Sequence, residues 1–186
     1  IVVRRAADGE KIVTLDEKEF TLNRDNLVIC DGKKPAALAG IMGGLNTEIK
    51  DNTKEVLFEA AKFARDSVRR TSRSLGQHSD SSAIFEKGTN EYTTERAMKR
   101  ALHLIQKLDC GTVTDACADI KTEYSDTDVK KMSVKPEKIN ALLGIEVPVD
   151  VMADILERLN FGVKRSGDEL ELTLPRYRDD IFSYPD

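Results

Sequence analysis

The run Val56-Leu57-Phe58-Glu59-Ala60-Ala61-Lys62-Phe63 decides how this chain is read. An almost unbroken apolar stretch of that length has the pattern of a strand covered on both faces. It also sets one carboxylate, Glu59, among greasy neighbours. A buried carboxylate is costly unless something pairs with it. Two uses are open: a backbone amide or an arginine from the nearby Arg69, Arg70, Arg73 cluster satisfies Glu59 as a structural pair, or the carboxylate faces a pocket and waits for a ligand's hydrogen-bond donor.

Downstream, residues 66–75 read as a helix stopped by Gly76. Arg65, Arg69, Arg70 and Arg73 recur along it at helical spacing, which is ordinarily a solvated face and is one candidate for a local contact with nucleic acid. The following His78-Ser79-Asp80-Ser81-Ser82 holds a hydroxyl, an imidazole and a carboxylate. Residues so close in sequence seldom converge as a hydrolytic triad, and no nucleophile elbow surrounds them. Capping and turn chemistry is the ordinary reading of this loop.

Upstream, residues 1–5 and 10–15 are short β-rich runs separated by Asp8-Gly9, which predicts a tight hairpin. Residues 20–22 and 27–30 continue the sheet, and Asp31-Gly32 with Lys33-Lys34-Pro35 breaks it. A small-residue apolar run over 36–42 ends in Gly43-Gly44, where missing side chains permit a turn or the close approach of a ligand. Residues 94–108 are predicted as a packing helix with Ala97, Ala101, Leu104, Ile105 and Leu108 on its buried face, and residues 112–120 as a strand-like return. The polar, turn-rich Ser125-Asp126-Thr127-Asp128 marks a domain boundary. Beyond it come a strand at 131–134, a helix opened by Pro136 and closed at Gly144, and a second helix with the stripe Met152, Ile155, Leu156, Leu159. A hairpin of 161–164 and 169–174 follows across Ser166-Gly167-Asp168. Strand, two helices and hairpin give a winged-helix-like arrangement.

Several motifs stand in collinear order: Leu-Ala-Gly-Ile-Met-Gly-Gly (38–44), the Glu59 run, Arg-Ser-Leu-Gly (73–76), Ser-Asp-Ser-Ser (79–82), Phe-Glu-Lys-Gly (85–88) and Pro-Arg-Tyr-Arg-Asp-Asp-Ile (175–181). Together the chain resembles the bacterial phenylalanyl-tRNA synthetase β subunit over essentially its whole length. That subunit is several times longer, so the resemblance implies a fragment. It would comprise residues 1–124, the C-terminal part of the B3/B4 editing domain, and residues 125–186, a B5 domain. The expected fold class is α+β, a mixed β-sheet editing domain with packed helices followed by the winged-helix-like α/β domain.

The resemblance also implies a role in charging tRNA(Phe) and in hydrolysing tyrosyl-tRNA(Phe) made in error. Glu59 would receive the tyrosine hydroxyl, and a site built to bond a hydroxyl rejects the analogue lacking it by up to roughly 10⁴ to 10⁵. Gly43 falls on the pocket wall. Ser79 stands where the family typically has threonine and would bind substrate or water; Ser81 stands where alanine is common and narrows the pocket. Glu59 and Ser79 are thus the expected catalytic pair, and Gly43, Glu59, Ser79 and Ser81 the substrate-binding set. Ile84 replaces the arginine of the family's Arg-Phe/Tyr-Glu-Arg/Lys-Gly pattern. Other editing residues, histidines and an arginine, would precede Ile1, leaving the fragment with half a site and little activity alone. Asp180 and Asp186 match two aspartates that bind magnesium in the full subunit together with two later glutamates. ATP is expected at the α subunit of an α2β2 heterotetramer and not here. A non-catalytic scaffold holding tRNA or the α subunit, and a freestanding deacylase, are the rival readings.

Composition sets bounds. At 186 residues there is enough chain for one good core or two modest ones. A net charge of −4 argues against gripping nucleic acid by bulk charge, DNA included. Cys30, Cys110 and Cys117 lack metal-site spacing and read as reduced structural thiols of a cytoplasmic protein. No membrane-spanning run or signal-peptide pattern is present.

Overall fold

The computed structural model describes residues 1–122 and 129–186. The described chain is mixed α and β, as expected, and its contacts divide it into two compact units, Ile1–Thr89 and Asn90–Asp186. The domain boundary expected at 125–128 lies outside the described residues.

In the first unit, β1 (Val2–Arg5), β4 (Leu27–Cys30), β5 (Pro35–Leu38) and β6 (Met42–Gly43) form an antiparallel sheet in that order, while β2 (Lys11–Val13) pairs with β3 (Glu19–Thr21). The pleat explains β4: Val28 and Cys30 point inward and are buried, alternating with the half-buried Leu27 and Ile29. Asp8-Gly9 does turn the chain, with Gly9 at φ +82°, but it joins no hairpin. β1 takes β4 as its partner and β2 takes β3, so the turn passes between sheets. An isolated bridge from Thr14 to Gly44 and the bond from Leu15 N–H to the Gly43 carbonyl at 3.0 Å tie the second sheet to the edge of the first.

α1 (Arg65–Leu75) ends as its sequence requires, on Gly76 in the left-handed conformation at φ 61°. The face it buries is largely polar: Ser67, Thr71 and Ser72 beside Val68. Ser72 donates to the Gln77 carbonyl at 2.8 Å, Asn26 Nδ2 donates to Thr71 at 3.4 Å, and Gln77 Nε2 donates to Asp16 at 3.0 Å, so these groups keep partners where water is excluded. Asp16 also accepts from Thr14 and pairs with Lys18, and these bonds hold its carboxyl far below the usual carboxylate range. The apolar core gathers Ile12, Leu22, Val28, Leu38, Ile41, Phe63 and Val68, among others.

Residues 56–63 are not a strand and are not covered on both faces. Among the described residues, 54–61 form no backbone-to-backbone hydrogen bond, and Val56, Leu57 and Phe58 are exposed. A strand needs a ladder partner as well as strand-grade side chains, and none of the described strands pairs with this run. Phe63 alone is buried, its ring edge-on to Phe85 at 5.0 Å.

In the second unit β7 (Lys131–Val134), β9 (Glu169–Thr173) and β8 (Gly162–Ser166) form a sheet in that order, with α4 (Pro136–Leu143) and α5 (Val149–Arg158) between β7 and β8. This is the expected strand, two helices and hairpin. Val134, Met152, Phe161, Leu170, Leu172, Leu174 and Ile181 make its core, so the apolar end of the 175–181 motif is a packing residue. Along α5, Met152 and Ala153 are buried and Leu156 half-buried, whereas Ile155 and Leu159 of the expected stripe face solvent.

α3 (Glu91–Lys107) starts earlier than its apolar periodicity indicates, because the Asn90 side chain caps it by accepting from Thr93 N–H at 2.8 Å. It buries no residue fully, and Ala97 and Leu108 of the expected face are exposed. Residues 112–120 are not a strand: they carry no ladder, and Ile120 is 90% exposed. All three cysteines are free thiols, with Cys30 in the core and Cys110 and Cys117 on the surface. Burial pushes the Cys30 thiol up from its ordinary pKa. Among the described residues no helix is long and apolar enough to cross a membrane.

Candidate functional site

Two of the residues expected to line a pocket, Ser79 and Ser81, bond to the turn between β5 and β6, and Gly43 lies in β6 just beyond it. Gly40 occupies that turn at φ +71°, where an L side chain is disfavoured, and a Cβ there would stand 2.9 Å from Phe63 Cδ2, 3.2 Å from Val68 Cγ2 and 3.3 Å from Phe85 Cδ2. The bare turn lets two aromatic rings close over it.

Onto the same turn α2 (Asp80–Phe85) sets its first residues. Ser79 is its N-cap, accepting from Ser82 N–H at 3.0 Å while Ser82 Oγ accepts from Ser79 N–H at 2.9 Å. Ser79 Oγ also donates to the Ile41 carbonyl at 2.6 Å, and Ser81 Oγ donates to the Gly40 carbonyl at 3.2 Å. Capping chemistry, the ordinary reading of this loop, therefore accounts for Ser79. With both hydroxyl protons committed to backbone carbonyls, the two serines have only oxygen lone pairs left to offer, one on Ser79 and two on Ser81. His78 Nδ1 lies 2.9 Å from Ser72 Oγ, whose proton goes to the Gln77 carbonyl, so these residues form no activated hydroxyl.

Ser79→Ala is expected to cost about 1–2 kcal/mol, the upper range for a lost N-cap, because the Ile41 carbonyl loses its donor as well. Ser79→Thr should keep most of it. Denaturant midpoints of the two variants check this.

Gly43 lies in β6 opposite Ala37, and a Cβ on it would sit 3.0 Å from Leu15 Cδ1. The nearest reason for glycine there is the Leu15 side chain.

Glu59 belongs to the exposed irregular run. Among the described residues its carboxylate has neither hydrogen-bond nor ion-pair partner, and no bond links it to Gly43, Ser79 or Ser81. The structural pairing with an arginine, one of the two uses open from sequence, is not made. Its carboxyl is nevertheless crowded enough by the unit that desolvation raises its pKa above the usual carboxylate value. The side chain's solvent contact and this crowding point different ways: contact with solvent governs access for a ligand, and crowding governs the cost of the charge. The turn thus holds Ser79 and Ser81, with Gly43 in the strand that follows it, and Glu59 belongs to the same unit on the run that ends at Phe63.

Sequence reading missed Gly40 and the Ile41 carbonyl. The signal was present in Ala39-Gly40-Ile41, a glycine between two core residues, which marks a turn that must be bare.

At the other end, Asp180 is paired with Arg178 at 2.7 and 3.0 Å, which raises the guanidinium's already high pKa. Asp186 Oδ2 accepts from Phe182 N–H, Ser183 N–H and Ser183 Oγ, and the backbone bonds lower its pKa. Among the described residues no three His, Cys, Asp or Glu side chains cluster as a metal site. Two carboxylates so engaged do not supply the near-octahedral oxygen set that magnesium demands.

Comparison with known proteins gives two family matches. Residues 1–110 match the family model of the B3/4 domain, and residues 132–186 match the tRNA synthetase B5 domain. The phenylalanine–tRNA ligase beta subunit of Syntrophus aciditrophicus is 42% identical over 184 residues, covering 97% of this chain and 23% of that protein. That of Clostridium tetani is 40% identical over 182 residues, with 97% and 23% covered, and that of Bacillus subtilis 38% over 181, with 97% and 22%. The chain spans under a quarter of the length of these relatives. Among solved structures, an N-terminal fragment of the phenylalanyl-tRNA synthetase beta subunit from Pyrococcus horikoshii has a TM-score of 0.45 at 16% identity, covering 97% of this chain and 52% of that one.

Proposed function

The chain belongs to the B3/4 domain family, joined here to a tRNA synthetase B5 domain as in phenylalanine–tRNA ligase beta subunits, and from that premise we propose that it carries part of a proofreading site. Within a phenylalanine–tRNA ligase, working with an α subunit and tRNA(Phe), this site hydrolyses tRNA(Phe) wrongly loaded with tyrosine. ATP and magnesium serve the loading reaction of the assembled ligase, and no step proposed for these residues is routed through them.

The observation that carries the reading is Glu59: an accessible carboxylate, free of internal donors among the described residues, in the unit that also presents Ser79 and Ser81. Ionised, it only accepts hydrogen bonds, and the remaining capacity of both serines is likewise acceptor only. Such a set suits a ligand that arrives with donors. The tyrosine phenol O–H bonds to Glu59; phenylalanine has no donor there and leaves the carboxylate unpaired. The free lone pair of Ser79 can accept from a water O–H, so its part is to position a wall and a water. Hydrolysis then needs that water delivered to the ester carbonyl carbon, with no covalent intermediate on the protein.

The raised pKa of Glu59 sets a pH signature. A neutral carboxyl is a poorer acceptor for a phenol, so selectivity for tyrosine should be full above the raised value and fall as pH drops through it, beginning at higher pH than an ordinary glutamate would give. Deacylation of tyrosylated and phenylalanylated tRNA by the assembled ligase, measured across pH, should show this dependence, and Glu59→Gln should flatten it and reduce the preference. If selectivity and pH profile are untouched in Glu59→Gln, the site is a scaffold.

A further inference from the structure

The arginines of the first unit fall into two groups. Arg4 pairs with Glu10 at 2.6 Å, Arg5 donates to the Asp25 carbonyl and to Ser67, Arg24 meets Asp8 at 3.1 Å, and Arg65 is also engaged. Arg69, Arg70 and Arg73 have no hydrogen bond or ion pair among the described residues, and all three are exposed. Asp66, the acidic residue of the same helix, pairs with none of them.

Their placement follows from the helix. Positions 69 and 73 are one turn apart, and position 70 is three residues before 73, so the three guanidinium groups share one side. Ser67, Val68, Thr71 and Ser72 are buried on the opposite side, which fixes the arginine side toward solvent. The rise between 69 and 73 is about 6 Å.

Three unneutralised guanidinium groups on one stripe, in a chain of net charge −4, make a local positive field against an unfavourable background. All three are arginines, whose planar fork of donors fits phosphate oxygens in pairs. The stripe begins six residues after Phe63, the anchor of the Glu59 run, and α1 packs on α2, whose start carries Ser79 and Ser81.

We propose that Arg69, Arg70 and Arg73 grip the phosphate backbone of the RNA whose 3′ end carries the amino acid to be checked. This rests on the proofreading reading for the identity of the RNA. The interaction is sequence-independent: each guanidinium displaces condensed counterions from a phosphate, and the base edges stay unread.

The test uses this chain and an uncharged RNA hairpin made of a tRNA acceptor stem with its single-stranded 3′ end, titrated by fluorescence anisotropy over a range of salt. Replacing the three arginines by glutamine should weaken binding at least about tenfold at low salt and make the plot of log affinity against log salt shallower by about 2, as expected for three lost phosphate contacts on a single strand. The triple Arg→Lys variant should keep most of the salt slope while losing part of the affinity, which separates charge from a folding defect. Loss of tyrosine discrimination in Glu59→Ala with an unchanged salt slope in the glutamine variant would overturn the arginine proposal alone. A shallower slope with discrimination intact in Glu59→Ala would overturn the proofreading reading alone. The arginine proposal also falls if the unmodified chain does not bind the hairpin, or if the glutamine variant binds it normally and instead fails to capture the α subunit.

Discussion

Glu59→Ala in the assembled ligase is expected to slow hydrolysis of tyrosylated tRNA(Phe) by roughly 10- to 100-fold while leaving the slow hydrolysis of phenylalanylated tRNA(Phe) nearly unchanged. The magnitude comes from one hydrogen bond to a charged acceptor, worth about 1.5–3 kcal/mol. A fully enclosed site of this kind would discriminate by roughly 10⁴ or more. Glu59 is in contact with solvent, so water competes for the carboxylate and the lower range applies. Alanine removes the acceptor and leaves space for water, so phenylalanine gains little. Single-turnover deacylation of the two tRNAs measures the ratio directly, and an unchanged ratio excludes Glu59 from recognition.

Gly40→Val is expected to destabilise the first unit by about 3–5 kcal/mol. The left-handed backbone at Gly40 costs an L residue about 1–2 kcal/mol, more for a β-branched one. The new side chain must also displace Phe63, Val68 and Phe85, which already lie 2.9 to 3.3 Å from where its Cβ would be. Overpacking a core in this way typically costs about 1–3 kcal/mol. Gly9→Ala is the control: Gly9 is also left-handed, at φ +82°, but nothing stands within 4 Å of its Cβ position, so only the backbone cost of about 1 kcal/mol should remain. Urea midpoints of the two variants, with unchanged slopes, separate strain from crowding. The loss at Gly40 is a large share of the stability of an ordinary domain.

What was legible in the sequence was local. The stop of α1 at Gly76, the turn at Asp31-Gly32, Pro136 at the start of α4 and the 161–174 hairpin are fixed by residues within a few positions of one another, and each is found where it was expected. The pairing of β1 with β4 is set by contacts some 25 residues apart, which no turn signal at Asp8-Gly9 reveals. The same limit explains the Glu59 run and residues 112–120. Alternation and apolar content say that a segment is able to be a strand, but the partner that makes it one is elsewhere in the chain or outside it. The candidate site divides likewise. Capping and turn chemistry is the ordinary reading of the 78–82 loop, while the engagement of the Ser79 proton with Ile41, and hence its loss as a donor, is a tertiary fact.

Among the described residues, 54–61 have no main-chain hydrogen-bond partner, which has a kinetic consequence. Amide protons held only by solvent exchange without any opening step, whatever the global stability of the unit. In deuterium oxide these eight residues should label near the rate of a free peptide while the amides of α1 remain protected, and an accessible segment of that length is also where a protease would nick the native chain first.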